Sequence, residues 1–465
     1  MVFSSNIFIF AFLPIFLACY YLMPFRGRSA LVLAFSYAFY AWWRPDFLGL
    51  LVGVSVVSYG FALAIEAAKD EVRRYRMLAI GVTLNLMALA YFKYANFGVA
   101  TMNSLLNGLG FGNISFTHVL LPIGLSFYIF HAISYLVDIY RREAPPASNL
   151  IDFAAFIALF PHLVAGPVLR YNLLASQFKS RVHSWERFSR GTIVFMVGFC
   201  KKVLIADTVA PLADAAFNAH SPTLADAWLG SFAYTIQLFF DFSGYTDMAI
   251  GLALMIGFVF PENFNDPYTS KSITEFWKRW HMSLSSWLRE YLYIALGGNR
   301  HGVVRTYLNL FLTMLLGGLW HGANWTFIVW GAWHGGILAL ERYWKERFVQ
   351  PVFPAWVSGW FAVVWTMLLV MIGWVLFRAA DITSAGRMFA GMLGMNGVPL
   401  SDAVVWQVTP DRLGVLLFGI ALVYAMPWLK RTGGGFLRYL LIPLFLWALA
   451  TLSSQAFTPF LYFQF

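Results

Sequence analysis

The sequence predicts an all-α polytopic membrane protein, with about eleven transmembrane helices plus re-entrant and interfacial helices. Three observations lead there. Hydrophobic residues make up 60% of the 465 and charged residues only 12%, with a mean hydropathy of +0.66; a soluble domain carries about 25% charged residues. Apolar runs recur from end to end with no long polar linker, so residues 1–465 read as one integral-membrane domain. Lys and Arg fall in alternate short loops, so the net charge of +10 is a topology signal rather than a nucleic-acid one. Aromatic residues reach 19%, and many Trp and Tyr sit at segment ends, as interfacial anchors do.

The first run, Ile7–Met23, lacks a basic n-region and a small-residue cleavage site, so it reads as a span rather than a removed signal. Arg26 and Arg28 follow it. The next connection, near Arg44 and Asp46, is neutral. Lys69, Arg73, Arg74 and Arg76 follow the third run, a loop of about 95–118 without Lys or Arg follows the fourth, and Arg141 and Arg142 follow the fifth. This alternation places the N-terminus outside and the basic loops in the cytoplasm. Cys19 and Cys200 lie in apolar runs without metal-ligand spacing, and no metal site is expected.

The alternation then breaks. The run Leu150–Leu169 has basic flanks on both sides and contains Pro161, Gly166 and Pro167, which interrupt helices. It reads as re-entrant, with a kinked span as the alternative; irregular backbone at membrane depth is tolerated where protein buries it. A crossing over about 192–212 carries Lys201 and Lys202. Trp228–Phe260 returns, interrupted by Asp241-Phe242-Ser243-Gly244-Tyr245-Thr246-Asp247, and its length predicts a kinked or discontinuous helix. Asp241 and Asp247 need partners at that depth: they pair with basic residues, cap broken helix ends, or meet substrate.

Lys271–Leu296 interleaves apolar and aromatic residues with Lys278, Arg279, Arg289 and Glu290, the pattern of a helix lying along the cytoplasmic interface. His281 sits in its middle. The basic residues suit either the phosphates of a nucleotide-bearing thioester or anionic headgroups.

Gly317-Gly318-Leu319-Trp320-His321-Gly322-Ala323-Asn324-Trp325 is the most informative stretch. It places a histidine in a Gly/Asn turn between the apolar arms Thr306–Leu319 and Thr326–Leu340. Both arms are shorter than the roughly 20 residues of a full span, so the turn is expected inside the bilayer slab. An ionisable group at that depth is a functional candidate, and histidine suits proton transfer near neutral pH. Arg342, Lys345 and Arg347 follow. Runs at about 360–377, 413–428 and 439–452 end the chain, with its C-terminus outside.

Taken in order, four motifs carry a family resemblance: Phe160-Pro161-His162-Leu163-Val164-Ala165-Gly166-Pro167, the Asp241–Asp247 stretch, Phe276-Trp277-Lys278-Arg279-Trp280-His281-Met282-Ser283, and Gly318-Leu319-Trp320-His321-Gly322. Together they resemble the membrane-bound O-acyltransferase family, and within it the bacterial branch that acetylates polysaccharides. The resemblance implies tilted helices around a thin centre, with a cytoplasmic and an outer funnel meeting near the family histidine, His321. It implies a cytosolic acyl thioester such as acetyl-CoA as donor, with no permanently bound cofactor. The acceptor it implies is a hydroxyl of alginate or a related exopolysaccharide, or of a periplasmic acetyltransferase or acetyl-carrier protein. The protein would then lie in the bacterial inner membrane. His281 matches a second polar position that varies within the family.

The expected chemistry is acyl transfer, with His321 as general base and Trp320, Asn324, His281 or backbone N–H groups as oxyanion donors. The sequence has no Gly-x-Ser-x-Gly elbow. His334, His131 and His162 read as packed core histidines. Runner-up readings are D-alanyl transfer, lipid acylation, or a transporter or flippase; against the last, no inverted repeat is visible.

Overall fold

The computed structural model describes residues 1–347, 355–431 and 437–454; these form helices, turns and loops, with no strand among them. Contacts divide the chain into two compact units, Met1–Phe195 with Met248–Pro261, and Met196–Asp247 with Glu262–Phe465. Among the described residues, five segments are long and apolar enough to cross a membrane: Pro45–Ala67, Glu71–Gly108, Val303–His321, Gly359–Arg378 and Pro410–Arg431. Phe8–Leu22, Leu125–Tyr140 and Tyr439–Ser454 are shorter apolar helices. The protein is therefore an all-helical, multi-pass membrane protein.

In the first unit, phenylalanines pack edge to face: the rings of Phe16 and Phe160 lie 5.0 Å apart and those of Phe12 and Phe160 5.5 Å apart. Asp70 caps the Glu71–Leu89 helix by accepting from the Arg73 amide. Buried Arg74 donates to the carbonyls of Ile65, Ile139 and Tyr140, the ends of two neighbouring helices, where a cation also meets the negative pole of the helix. The region 95–118, expected as a loop, stays helical through Gly108. It contains no proline, so nothing in the chain stops the helix entering it.

Leu150–Leu169 forms two short helices, Leu150–Ala158 and Phe160–Leu163, joined at extended Leu159 and followed by buried irregular chain. Neither helix is long enough to span. The Phe160 amide donates to Ser36 Oγ at 3.1 Å, so protein satisfies the freed backbone. His162 Nε2 donates to the Phe156 carbonyl at 2.8 Å, and the Leu169 amide donates to His131 Nε2 at 3.2 Å. The two rings lie 4.4 Å apart, which gives both histidines a packing role.

The interruption expected in Trp228–Phe260 is absent: Leu224–Met255 is one helix of 32 residues. Two features remove the need for a break. Gly244 lets the helix press on the Gly198 carbonyl; a Cβ there would lie 2.6 Å from that oxygen. Both acids also find lysines. Lys202 Nζ lies 2.8 Å from Asp241 and 2.5 Å from Asp207, and Lys201 Nζ lies 2.6 Å from Asp247. Stripping one partner from the buried Lys202–Asp241 pair would leave an uncompensated charge, at about 3–5 kcal/mol.

Candidate active site

The site lies wholly in the second unit. Its first component is the hairpin Val303–His321 and Trp325–Arg347. The helices touch through glycine: a Cβ on Gly331 would lie 2.5 Å from the Met314 carbonyl, and one on Gly318 would collide with the Phe327 carbonyl. His321 is the last residue of the first helix, and Gly322 turns extended behind it. The arms run further than the apolar pattern suggested, because they take in Val303–Arg305 at one end and Glu341–Arg347 at the other. At 1.5 Å per residue the first arm is about 28 Å long, close to the ~30 Å hydrocarbon core. Arm length therefore does not place the turn at mid-depth, contrary to the expectation. Protein burial does enclose the histidine: His321 is 4% exposed. Its ring lies 4.9 Å from Trp320, 5.0 Å from Trp330 and 5.2 Å from Phe377, each edge to face.

The second component is the His281 segment, which differs from the single surface helix expected. Helix Ile273–Arg279, capped by Ser272, stops at Trp280, and Met282–Trp287 begins after His281. His281 takes a left-handed conformation, φ 44°. The loop at Asn263 forces this break. The Met282 amide donates to the Asn263 carbonyl at 2.9 Å, and the Asn265 amide to the Arg279 carbonyl at 2.9 Å. Asn263 Oδ1 accepts from the Ser283 amide at 3.1 Å and Ser283 Oγ at 2.8 Å, and lies 3.2 Å from His281 Nδ1. With Nδ1–H donating to Asn263, Nε2 of His281 is the lone-pair nitrogen. His281 is fully buried, 4.7 Å from the Phe242 ring and 6.5 Å from that of Trp320.

Trp320 therefore neighbours both histidines. Beyond Trp330 comes His334, also buried, with ring centroids 5.0 Å from Trp330 and 5.3 Å from Trp277. Trp280, Trp330 and Trp374 are among the largest fully buried side chains. Trp42, Trp360 and Trp428 are exposed, whereas these three pack inside the protein and are not interfacial anchors.

The remaining candidates make other contacts. Asn324 caps the return helix: its Oδ1 accepts from the Thr326 amide at 3.2 Å, and its amide donates to the Ala380 carbonyl at 2.8 Å. Asp241 and Asp247 are occupied by the lysines described above. Lys278 and Arg289 are exposed, while Arg279 pairs with Glu275 and Arg289 with Glu290, each at 2.6 Å. Asn263, Trp330 and Phe377 are the site residues that sequence reasoning missed. Trp330 carried a signal, nine residues after His321 on the returning arm.

Fold and site define a multi-pass membrane protein that encloses two histidines among tryptophans. The signature of the membrane-bound O-acyltransferase family matches residues 140–379. The chain belongs to that family and is an acyltransferase by family. It is 50% identical to the "Probable alginate O-acetylase AlgI" of Azotobacter vinelandii over the whole of both chains. It is 37% identical to the peptidoglycan O-acetyltransferase of Helicobacter pylori over 86% of this chain and 81% of that protein. The teichoic acid D-alanyltransferase of Bacillus subtilis is more distant, at 28% identity over 55% of this chain and 68% of its own length.

Proposed function

We propose that this chain is an O-acetyltransferase of the inner membrane, with both termini in the periplasm. It moves an acetyl group from a cytosolic thioester to a hydroxyl of an extracytoplasmic polysaccharide, alginate or a relative, or of a periplasmic partner protein that passes the group on. The observation that carries the reading is the enclosure of His321 by Trp320, Trp330 and Phe377 at a helix end, in a chain of an acyltransferase family. Similarity over most or all of the chain to proteins named for O-acetylation of alginate and peptidoglycan favours acetyl over D-alanyl transfer.

In this reading the His321 imidazole takes the proton of the acceptor hydroxyl while its oxygen attacks the thioester carbonyl. The C–O bond forms and a tetrahedral oxyanion appears. The C–S bond then breaks, and the thiolate leaves with the proton the imidazolium returns. A water-poor aromatic pocket strengthens any donor aimed at the oxyanion. Trp320 and His281 remain candidates for that task. Asn324 is the weaker one, because its amide is committed to Ala380. Acetyl-CoA or another acyl thioester serves as donor, with no cofactor held permanently. Lys278, Arg279 and Arg289 would meet its phosphates.

The test is transfer of radiolabelled acetyl from acetyl-CoA by the purified, reconstituted protein, with alginate or a periplasmic partner as acceptor. Label should appear as a base-labile ester on the acceptor. Label that never leaves acetyl-CoA under any acceptor, from protein shown to be folded, contradicts the reading.

A further inference from the structure

The first unit holds a second cluster of polar groups, remote in sequence from the histidine pocket. It forms where the Leu13–Leu22 helix ends, the Phe25–Ala41 helix begins, and the chain at 180–184 meets residues 256–258. Tyr20 Oη donates to the Ile256 carbonyl at 2.7 Å and lies 2.9 Å from His183 Nε2. The Arg28 guanidinium, which can only donate, faces the same ring, with Nη1 3.1 Å from His183 Nε2 and 3.3 Å from Nδ1. Burial first, and then the Arg28 charge, hold the His183 imidazole below its ordinary range, so it stays neutral.

Arg181 lies behind this chain. It is 8% exposed, its guanidinium nitrogens make no well-formed hydrogen bond, and the Tyr20 hydroxyl is its neighbouring acceptor. It rests on aromatic faces instead, 4.4 Å from the Phe258 centroid and 5.4 Å from that of Phe25. The nearby Tyr20 hydroxyl is engaged as above. Asp152 acts on Arg181 through space, but its carboxylate accepts from Asn149 at 2.8 Å. Neither Arg28 nor Arg181 makes an ion pair among the described residues. Two guanidiniums thus lie close together with no acidic side chain at ion-pair distance among the described residues, and cation–π contacts compensate such burial only in part. Phe25, Val182 and Trp185 are exposed near its mouth, and Arg26 and Lys179 flank it, on the face that charge alternation assigns to the cytoplasm.

We propose that Arg28 and Arg181 form a phosphoryl-anion site, which takes the phosphodiester of an anionic lipid or a free phosphate. Planar guanidinium forks match phosphate oxygens. Half-buried Arg28 meets the ligand first, and Arg181 closes on it from the floor. The inference is independent of the acyl-transfer reading.

The test uses the full chain stripped of lipid in neutral detergent. Native mass spectrometry compares retention of phosphatidylglycerol and phosphatidylcholine, and thermal melting follows inorganic phosphate. The wild type should retain phosphatidylglycerol in preference, and Arg28→Gln should weaken that retention about tenfold, the loss expected for a hydrogen bond to a charged group. Arg181→Gln should do the same; if it fails to fold, Arg28→Gln on the rim decides alone. Arg44→Gln, a change at an arginine already paired with Asp46, should change nothing. Stabilisation by inorganic phosphate that Arg28→Gln abolishes, without a preference between lipids, makes a free phosphate the occupant. Equal responses of wild type and Arg28→Gln to both probes overturn the proposal.

Discussion

Asn263 shows what a single residue does here. Its Oδ1 receives the Ser283 amide and hydroxyl and faces His281, so it fixes the ring on which one oxyanion candidate depends. Asn263→Ala removes the acceptor and leaves buried donors unmet, at about 1–3 kcal/mol each. It should lower both the melting temperature in detergent and acetyl turnover, whereas Asn263→Asp should restore much of the stability. Unchanged melting in Asn263→Ala would show that the loop does not hold the segment. On the surface, Lys278→Gln and Arg289→Gln should raise the KM for the thioester donor, more at low salt than at high, because screening already weakens exposed contacts. A flat KM with reduced membrane insertion would mean that these cations serve headgroups instead. Residue types were legible in the sequence here, but their partners were not. His321 announced itself by its Gly/Asn setting. Asn263, eighteen residues before His281, gave no local sign, because contact across a broken helix leaves no periodicity.

Among the helices, the hairpin that carries His321 depends on small residues. Gly331 meets a backbone carbonyl that cannot move aside, whereas Gly336 has nothing within 4 Å. Gly331→Ala should therefore part the two arms and lower stability and transfer together. Gly336→Ala should be harmless or slightly stabilising, since alanine is worth up to about 1 kcal/mol over glycine in a helix. Equal effects of the two changes would refute close packing as the device that positions the turn. The runs ending the chain, the non-spanning character of Leu150–Leu169 and the hairpin itself were all readable from apolar pattern and charge. The continuous Leu224–Met255 helix was not. Two acids in an apolar run look like a break until Lys201 and Lys202 are seen beside them. The split at Trp280 was equally hidden, because its cause lies in a loop fifteen or more residues upstream.

For the whole molecule, charge alternation sets an orientation that labelling can check. Cysteine at exposed Ser104 should react with an impermeant maleimide on intact cells, and cysteine at Ala68 should not; reversed labelling would invert the topology. This orientation supplies the proposed route, with donor and acceptor on opposite sides of the buried histidines. The central claim is that His321 performs the proton transfer. The most direct measurement is acetyl transfer by purified His321→Gln beside wild type, with melting temperature and insertion as controls. Glutamine keeps volume and hydrogen bonding but cannot take the proton. A general base contributes about 10² to 10⁴-fold, so turnover should fall by that much while the controls hold, and His334→Ala should lose far less. Near-full turnover in His321→Gln would contradict the account and move the search for the base to His281.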